Sequence, residues 1–230
     1  MYTLYIANKN YSSWSLRPWA LMRELGIDFE EKLAPFGSDS NWEAFRSFNP
    51  AGKVPCLHDV DGKDDSVVWD SMGIIEYLAE RHEGVWPADG KARTWARCAA
   101  AEMHSGFSAL RQNCPMHVAF RIQMQDTSDA FKHDIARLNE LWNEGLDKFG
   151  GPFLAGAKFT AIDAFFAPVV FRAQSYGLAL NEKSAAYAKH LLQTAAMQQW
   201  QTEALQESWR EPGHETMALA AGTLLADLRS

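Results

Sequence analysis

The sequence predicts a small α/β domain of order βαβαββα followed by an all-helical domain, and three observations predict it. Up to Arg81, short runs rich in β-branched and aromatic residues alternate with amphipathic stretches of helical period. The segment "HEGVWPADGKA", with its Gly, Pro and Asp, then interrupts the pattern as a linker would. Beyond it, apolar residues recur at steps of three or four, and no strand-like alternation competes.

Each element follows in order. Tyr2 to Ala7, "YTLYIA", reads as a buried strand. After a serine-rich loop, Leu16 to Leu25 places Leu16, Trp19, Ala20 and Leu25 on one face and meets Gly26, a helix-ending residue. Pro18 is expected in the first turn, where its missing N–H costs little. Phe29 to Ala34 reads as a second strand and Trp42 to Phe48 as a short helix closed by "NPAG". "VPCLHDV" and "SVVWD" flank the hairpin-like turn "DGKDD", and Ser71 to Arg81 has Met72, Ile75, Leu78 and Ala79 at helical spacing.

In the second half, Trp95, Ala99, Met103, Phe107, Leu110 and Cys114 predict one helix that stops at Pro115. Phe131 to Phe149 predicts another, capped by Ser128 and ended by "GGP". Thr160 and Asp163 have the spacing of a capping box, and Pro168, deep in the helix that follows, is expected to bend it. Ser184 to Gln206 continues as helix in two pieces, and the tail "ETMALAAGTLLADLRS" is expected to add one more short helix.

With 230 residues, 47% of them hydrophobic, the chain can bury a sizeable core. It contains no run near the about 20 apolar residues that span a bilayer. The N-terminus shows no charged leader or apolar targeting core, so a cytoplasmic location is the expectation. A net charge of −7 argues against general nucleic-acid or anionic-membrane binding, both of which need a basic surface. Cys56, Cys98 and Cys114 are widely spaced and form no CxxC pair, which suggests buried thiols and neither a disulfide framework nor a metal site.

Three stretches could carry chemistry. "NYSSWSLRPW" feeds hydroxyls into a helix N-terminus, where the dipole and free amides favour an anion such as a thiolate. A thiol there can fall from a pKa of about 8.5 to between about 3.5 and 7.5. A plain N-cap by Ser13 or Ser15 would account for the same serines. "NPAGKVPCL" places a Val-Pro pair at a strand mouth, where a cis proline would leave the Val54 backbone free to pair with an extended peptide-like ligand; an ordinary edge strand beginning at proline is the simpler account. In "VVWDSMGIIEYL", Asp70 and Ser71 open a helix and could grip a carboxylate and an ammonium group, or simply cap the helix.

Taken together, "YSSWSLRPW", "FNPAGKVPCL", "VWDSMGIIEYLAE" and "AGAKFTAIDAFFAP" resemble, in this order and spacing, the cytosolic glutathione S-transferases. The serine-rich start is similar to the serine-type zeta and theta classes. The resemblance implies a thioredoxin-like glutathione-binding domain over residues 1–82, a linker over 83–92 and an all-helical domain with the second-substrate pocket over 93–230. It implies that Ser12 hydrogen-bonds the glutathione thiolate with Ser13 as a neighbouring donor, while Tyr2, Tyr5 and Tyr11 are competitors for that role. Trp14 would lie beside the thiolate and Lys53 near the ligand. Val54, before a cis Pro55, would pair with the cysteinyl backbone, and Asp70 and Ser71 would hold the γ-glutamyl end. Thr160 and Asp163 match the family's folding cap.

The implied activity is a transferase in which the thiolate attacks an electrophilic or peroxide substrate, in a cytoplasmic homodimer serving detoxification and without a metal. Met103, His104, Phe107 and Arg111 are candidates for the second-substrate wall, with core packing the alternative for Met103 and Phe107. Zeta-class maleylacetoacetate isomerases carry Ser-Ser-Cys where this chain has Ser12, Ser13 and Trp14, which argues against that isomerisation. A non-catalytic glutathione- or partner-binding protein is one alternative. A specialised glutathione-dependent isomerase, dehalogenase or etherase is the other.

Overall fold

The computed structural model describes residues 1–37, 40–60, 65–125 and 127–229. Strand β1 (Tyr2–Ile6) lies at the centre of a four-stranded sheet with β2 (Phe29–Leu33), β3 (Cys56–Asp59) and β4 (Ser66–Val68), in the order β2-β1-β3-β4. β1 runs parallel to β2 and antiparallel to β3, and β3 is antiparallel to β4. The parallel pair requires a crossover, supplied by α1 (Ser13–Glu24), and a second helix, α2 (Trp42–Arg46), lies between β2 and β3. α3 (Ser71–Ala79) follows β4, so the expected βαβαββα order is realised. Residues 61–64 of the expected hairpin turn lie outside the described residues.

Helix α1 begins three residues earlier than its apolar stripe suggests, because Ser12 is its N-cap. Pro18 consequently falls in the second turn, where the Trp14 carbonyl loses its intrahelical amide. Gly26 ends the helix at φ +66°. β1 and α1 contribute Leu4, Ile6, Leu16, Trp19 and Leu21 to the core, all fully buried.

The second half is built from α4 (Gly90–Ser105), α5 (Ser108–Asn113), α6 (Asp129–Phe149), α7 (Ala161–Tyr176), α8 (Glu182–Leu192), α9 (Ala195–Gln206) and α10 (Pro212–Leu219). The stretch expected as one helix from Trp95 to Cys114 is two, split where Gly106 is extended and Phe107 turns left-handed at φ 53°. Ser128 caps α6 as expected, accepting from the Phe131 N–H at 3.2 Å. The Asp163 carboxylate accepts from the Thr160 N–H at 3.0 Å, fixing the start of α7, which runs continuously through Pro168.

The helical half also holds strands that its periodicity does not foretell. β5 (Phe120–Met124) pairs antiparallel with β6 (Gly222–Asp227), so the tail becomes α10 followed by a strand. The two halves share one core: α1 packs on α7 and α9, Trp19 meets Trp200 edge-on at 5.0 Å, and the Trp200 indole N–H donates to the Lys9 carbonyl at 2.9 Å. Cys56 and Cys114 are buried as expected; Cys98 is exposed. No helix among the described residues is long and apolar enough to cross a membrane.

Candidate active site

The chain leaves β1 and turns at Asn8, whose carbonyl accepts from the N–H groups of Tyr11 (3.1 Å) and Ser12 (2.9 Å). That turn delivers Ser12 to the N-terminus of α1, yet its side chain makes no capping bond. Its hydroxyl instead meets that of Ser15 at 2.7 Å, and Ser15 Oγ accepts from the Ala7 N–H at 3.3 Å. Ser12, Ser13 and Trp14 line a cleft of about 600 Å³.

A second wall comes from the segment leading into β3. Gly52, Lys53 and Val54 line the cleft, the Val54–Pro55 bond is cis, and the Asn49 side chain holds the Lys53 carbonyl. Gly52 has φ +61°, and a Cβ there would lie 2.5 Å from Trp42 Cε3, so glycine is required where the chain passes beneath this indole. Trp42 also lines the cleft.

Asp70 is the N-cap of α3 and accepts from the Met72 N–H at 2.9 Å. Its other oxygen lies 3.3 Å from His104 Nε2, and the His104 ring meets Trp14 edge-on at 5.2 Å. Burial, opposed by the charge of Asp70, holds the His104 imidazole below its usual pKa. Ser71 is fully buried, and its hydroxyl has no hydrogen-bond partner among the described residues. The structure thus connects Ser12, Ser13, Trp14, Lys53 and Val54 around one cleft and ties Asp70 to it through His104 and Trp14.

Of the expected second-substrate residues, Arg111 lines the cleft and His104 stands behind Trp14. Met103 and Phe107 do not line it: they are 0% and 6% exposed and pack into the shared core, because the apolar stripe of α4 faces α7. Among the tyrosines, Tyr11 borders the cleft, but its hydroxyl donates to Glu215 at 2.9 Å, and burial pushes its pKa up to about 12. Tyr2 is engaged with His82, and Tyr5 stacks on Phe48. Sequence reasoning missed Trp42, Arg172, His214 and Met217 on the cleft wall. Arg172 had a signal: it is the lone charge in the run "AFFAPVVFRA" after Asp163.

The family described as "Glutathione S-transferase, N-terminal domain" matches residues 11–81, the segment that holds Ser12, Ser13, Trp14, Lys53, Val54, Pro55, Asp70 and Ser71. Residues 11–81 carry this glutathione S-transferase N-terminal domain. The chain is 28% identical over 174 residues to the glutathione S-transferase-like protein OpS6 of Beauveria bassiana, covering 72% of this chain and 76% of the relative. It is also 28% identical over 188 residues to a probable maleylacetoacetate isomerase of Caenorhabditis elegans, covering 77% and 81%. In three dimensions it is similar to a glutathione transferase homolog from Burkholderia GL BGR1 solved with bound glutathione, at a TM-score of 0.63 and 22% identity over 88% of this chain and 97% of the other. That likeness speaks to the glutathione S-transferase fold: the thioredoxin-like first domain and the helical second one.

Proposed function

We propose that the protein is a serine-type glutathione transferase, in which Ser12 stabilises the thiolate of bound glutathione for attack on an electrophilic small molecule. The observation that carries this is the placement of the Ser12 and Ser13 hydroxyls, at the positive end of a twelve-residue helix, in one cleft with Lys53 and Val54. Ser12 Oγ donates to Ser15 Oγ, which also accepts from the Ala7 amide; with a sulfur anion in the cleft the Ser15 hydroxyl can turn to donate to Ser12, which frees the Ser12 proton for the sulfur. The thiolate forms a new bond to the electrophilic carbon while the leaving group departs with its electron pair. Residues 1–82 would hold glutathione, with Trp14 beside its thiolate, Pro55 presenting Val54 to its backbone and Asp70 and Ser71 gripping its γ-glutamyl end. Residues 93–230 would shape the second pocket.

A homodimer is part of the same reading. It is supported by Val60, Val67 and Trp69, large apolar side chains left exposed at and beside the edge strand β4. Sedimentation that finds only monomer at micromolar concentration removes it.

The transferase reading is tested by the ultraviolet difference spectrum of glutathione with the protein across pH, in wild type and Ser12→Ala. Thiolate absorbance near neutral pH that Ser12→Ala abolishes supports it. Glutathione that binds yet stays protonated turns the reading toward a non-catalytic binding protein.

A further inference from the structure

Three arginines gather behind and along the helical wall of the cleft, and none has a carboxylate within ion-pair range among the described residues. Arg172, 4% exposed, lines the cleft from α7, and its Nε–H donates to the Cys114 carbonyl at 2.7 Å. Arg111 lines it from α5; its Nη1 donates to the His104 carbonyl at 3.0 Å, and its guanidinium lies 5.6 Å from the centre of the Trp14 ring. Arg17, 1% exposed, is sandwiched between Trp14 at 4.0 Å and Phe165 at 4.9 Å, and its Nε has no hydrogen-bond partner among the described residues.

Gathering buried cations without counter-charge is costly. Burial first, and then the charges of Arg172 and Arg111, lower the Arg17 pKa to about 9; burial is also the main cause that takes Arg172 to about 10. The chain has 29 acidic against 22 basic side chains, yet among the described residues no carboxylate lies within ion-pair distance of this group; only the longer-range charges of Asp70 on Arg17 and of Asp134 on Arg111 offset it. An anion entering the cleft would supply that charge. With its Nε bond fixed, the flat Arg172 guanidinium retains terminal N–H groups suited to a planar two-oxygen acceptor.

We propose that Arg111 and Arg172 form a carboxylate-binding pair that selects an acidic second substrate at the helical wall of the cleft. This rests on the transferase reading, which assigns the glutathione carboxylates to the first domain. Arg111 and Arg172 both lie outside the matched segment 11–81, on the side of the chain that forms the second pocket. Arg17 stands behind Trp14 and holds the field positive without touching the substrate.

The test is calorimetric titration of the 230-residue protein, saturated with glutathione, with 3,5-dinitrobenzoate and separately with its methyl ester. Neither carries a ring halide for the thiolate to displace, so binding is read without aromatic substitution. The acid is expected to bind about tenfold more tightly than the ester. Arg111→Gln should erase most of that preference and Arg172→Lys should reduce it; circular dichroism verifies folding, and the half-buried Arg111 keeps the test valid if the Arg172 variant does not fold. Equal affinity for acid and ester in the wild type, or a preference that survives Arg111→Gln, overturns the proposal. A preference seen only without glutathione also overturns it, because the pair then holds one of glutathione's own carboxylates. Titration with glutathione alone separates the two readings: no glutathione binding with the acid preference intact overturns the transferase reading and leaves the carboxylate pair supported.

Discussion

The hydroxyls of Ser12 and Ser15 lie 2.7 Å apart, and Ser15 is anchored to the Ala7 amide, so the serine facing the cleft is backed by a second hydroxyl one helical turn away. In the structure the Ser12 hydroxyl donates to Ser15, and an anion in the cleft reverses that bond, so that Ser15 donates to Ser12 and Ser12 to the anion. A charge-assisted bond from Ser12 contributes about 1.5 to 3 kcal/mol, or about one to two pKa units on the sulfur. Ser12→Ala is therefore expected to raise the pKa of bound glutathione by that amount. Ser15→Ala should move it the same way by less, since it removes the backing and not the donor. Titration of thiolate absorbance in the two variants decides it, and a Ser15→Ala shift larger than that of Ser12→Ala would reverse the assignment.

Gly52 and Trp42 are coupled through space. An alanine at position 52 would need a φ of +61° and would place its Cβ 2.5 Å from the Trp42 ring. The backbone strain costs about 1 to 3 kcal/mol, and the indole must leave its place on the cleft wall. Gly52→Ala is expected to weaken glutathione binding about tenfold or more. If the displaced indole is the cause, adding Trp42→Ala should restore part of the loss, and a double-mutant cycle by calorimetry measures that coupling. Strict additivity would show that the backbone alone is responsible.

Asp163 is fully buried, and its two oxygens accept from the N–H groups of Leu154 and Thr160 and from the Tyr187 hydroxyl, each at 3.0 Å. Asp163→Ala leaves three buried donors without an acceptor and is expected to cost about 3 kcal/mol or more, read by urea unfolding. Burial outweighs these bonds and pushes the Asp163 pKa up to about 6, from an ordinary value of 3.8. A raised pKa contributes stability that is fully present below about 3.8 and lost as pH rises through about 6. The cost of Asp163→Ala should therefore be larger at pH 4 than at pH 7. A cost that grows with pH instead would show that the three donors, and not burial, dominate.

What the sequence makes legible is what local chain geometry sets. Ser12, Asp70 and Ser71 all sit where one element gives way to a helix, and Val54 where a loop enters a strand; such junctions are marked by serine, aspartate and proline within a few residues. The rest of the cleft is assembled by contacts distant in the chain. Arg172 reaches it because α7 packs on α1, and His214 and Met217 because the tail folds back over Tyr11. The strand β6 was unreadable for the same reason: "GTLLAD" carries helix-forming Leu and Ala, leaves Leu225 64% exposed, and is extended only because β5, far earlier in the chain, pairs with it. The stripe that holds Met103 and Phe107 reads as apolar and is buried, but periodicity alone does not say whether an apolar face meets a ligand or another helix.

Glu215 ties the tail to the cleft. It accepts from the Tyr11 hydroxyl at 2.9 Å, from Arg229 at 2.6 Å and from Arg210 through two bonds at 3.0 and 3.1 Å. In the same helix His214 stacks on Tyr11 and Phe36, with ring centres 5.3 and 4.8 Å away, so the carboxylate fixes part of the wall that the second substrate meets. Burial raises the Glu215 pKa, but the two guanidinium groups and the tyrosine outweigh it and hold it down to about 2; His117, 4.0 Å away, is kept neutral by burial, which lowers its pKa to about 3. A depressed carboxylate contributes stability that is present above its ordinary 4.5 and lost as pH falls toward about 2. Glu215→Gln is expected to raise KM for the second substrate while leaving glutathione affinity within about twofold, and to lower stability at neutral pH by about 1 to 3 kcal/mol. Trypsin should cleave after Arg210 faster in the variant, since that side chain loses its main anchor. The stability gap between wild type and variant should also narrow as pH is lowered below 4.5. An unchanged cleavage rate together with a gap that is constant in pH would show that the tail is held by β6 alone, and that Glu215 has no part in shaping the pocket.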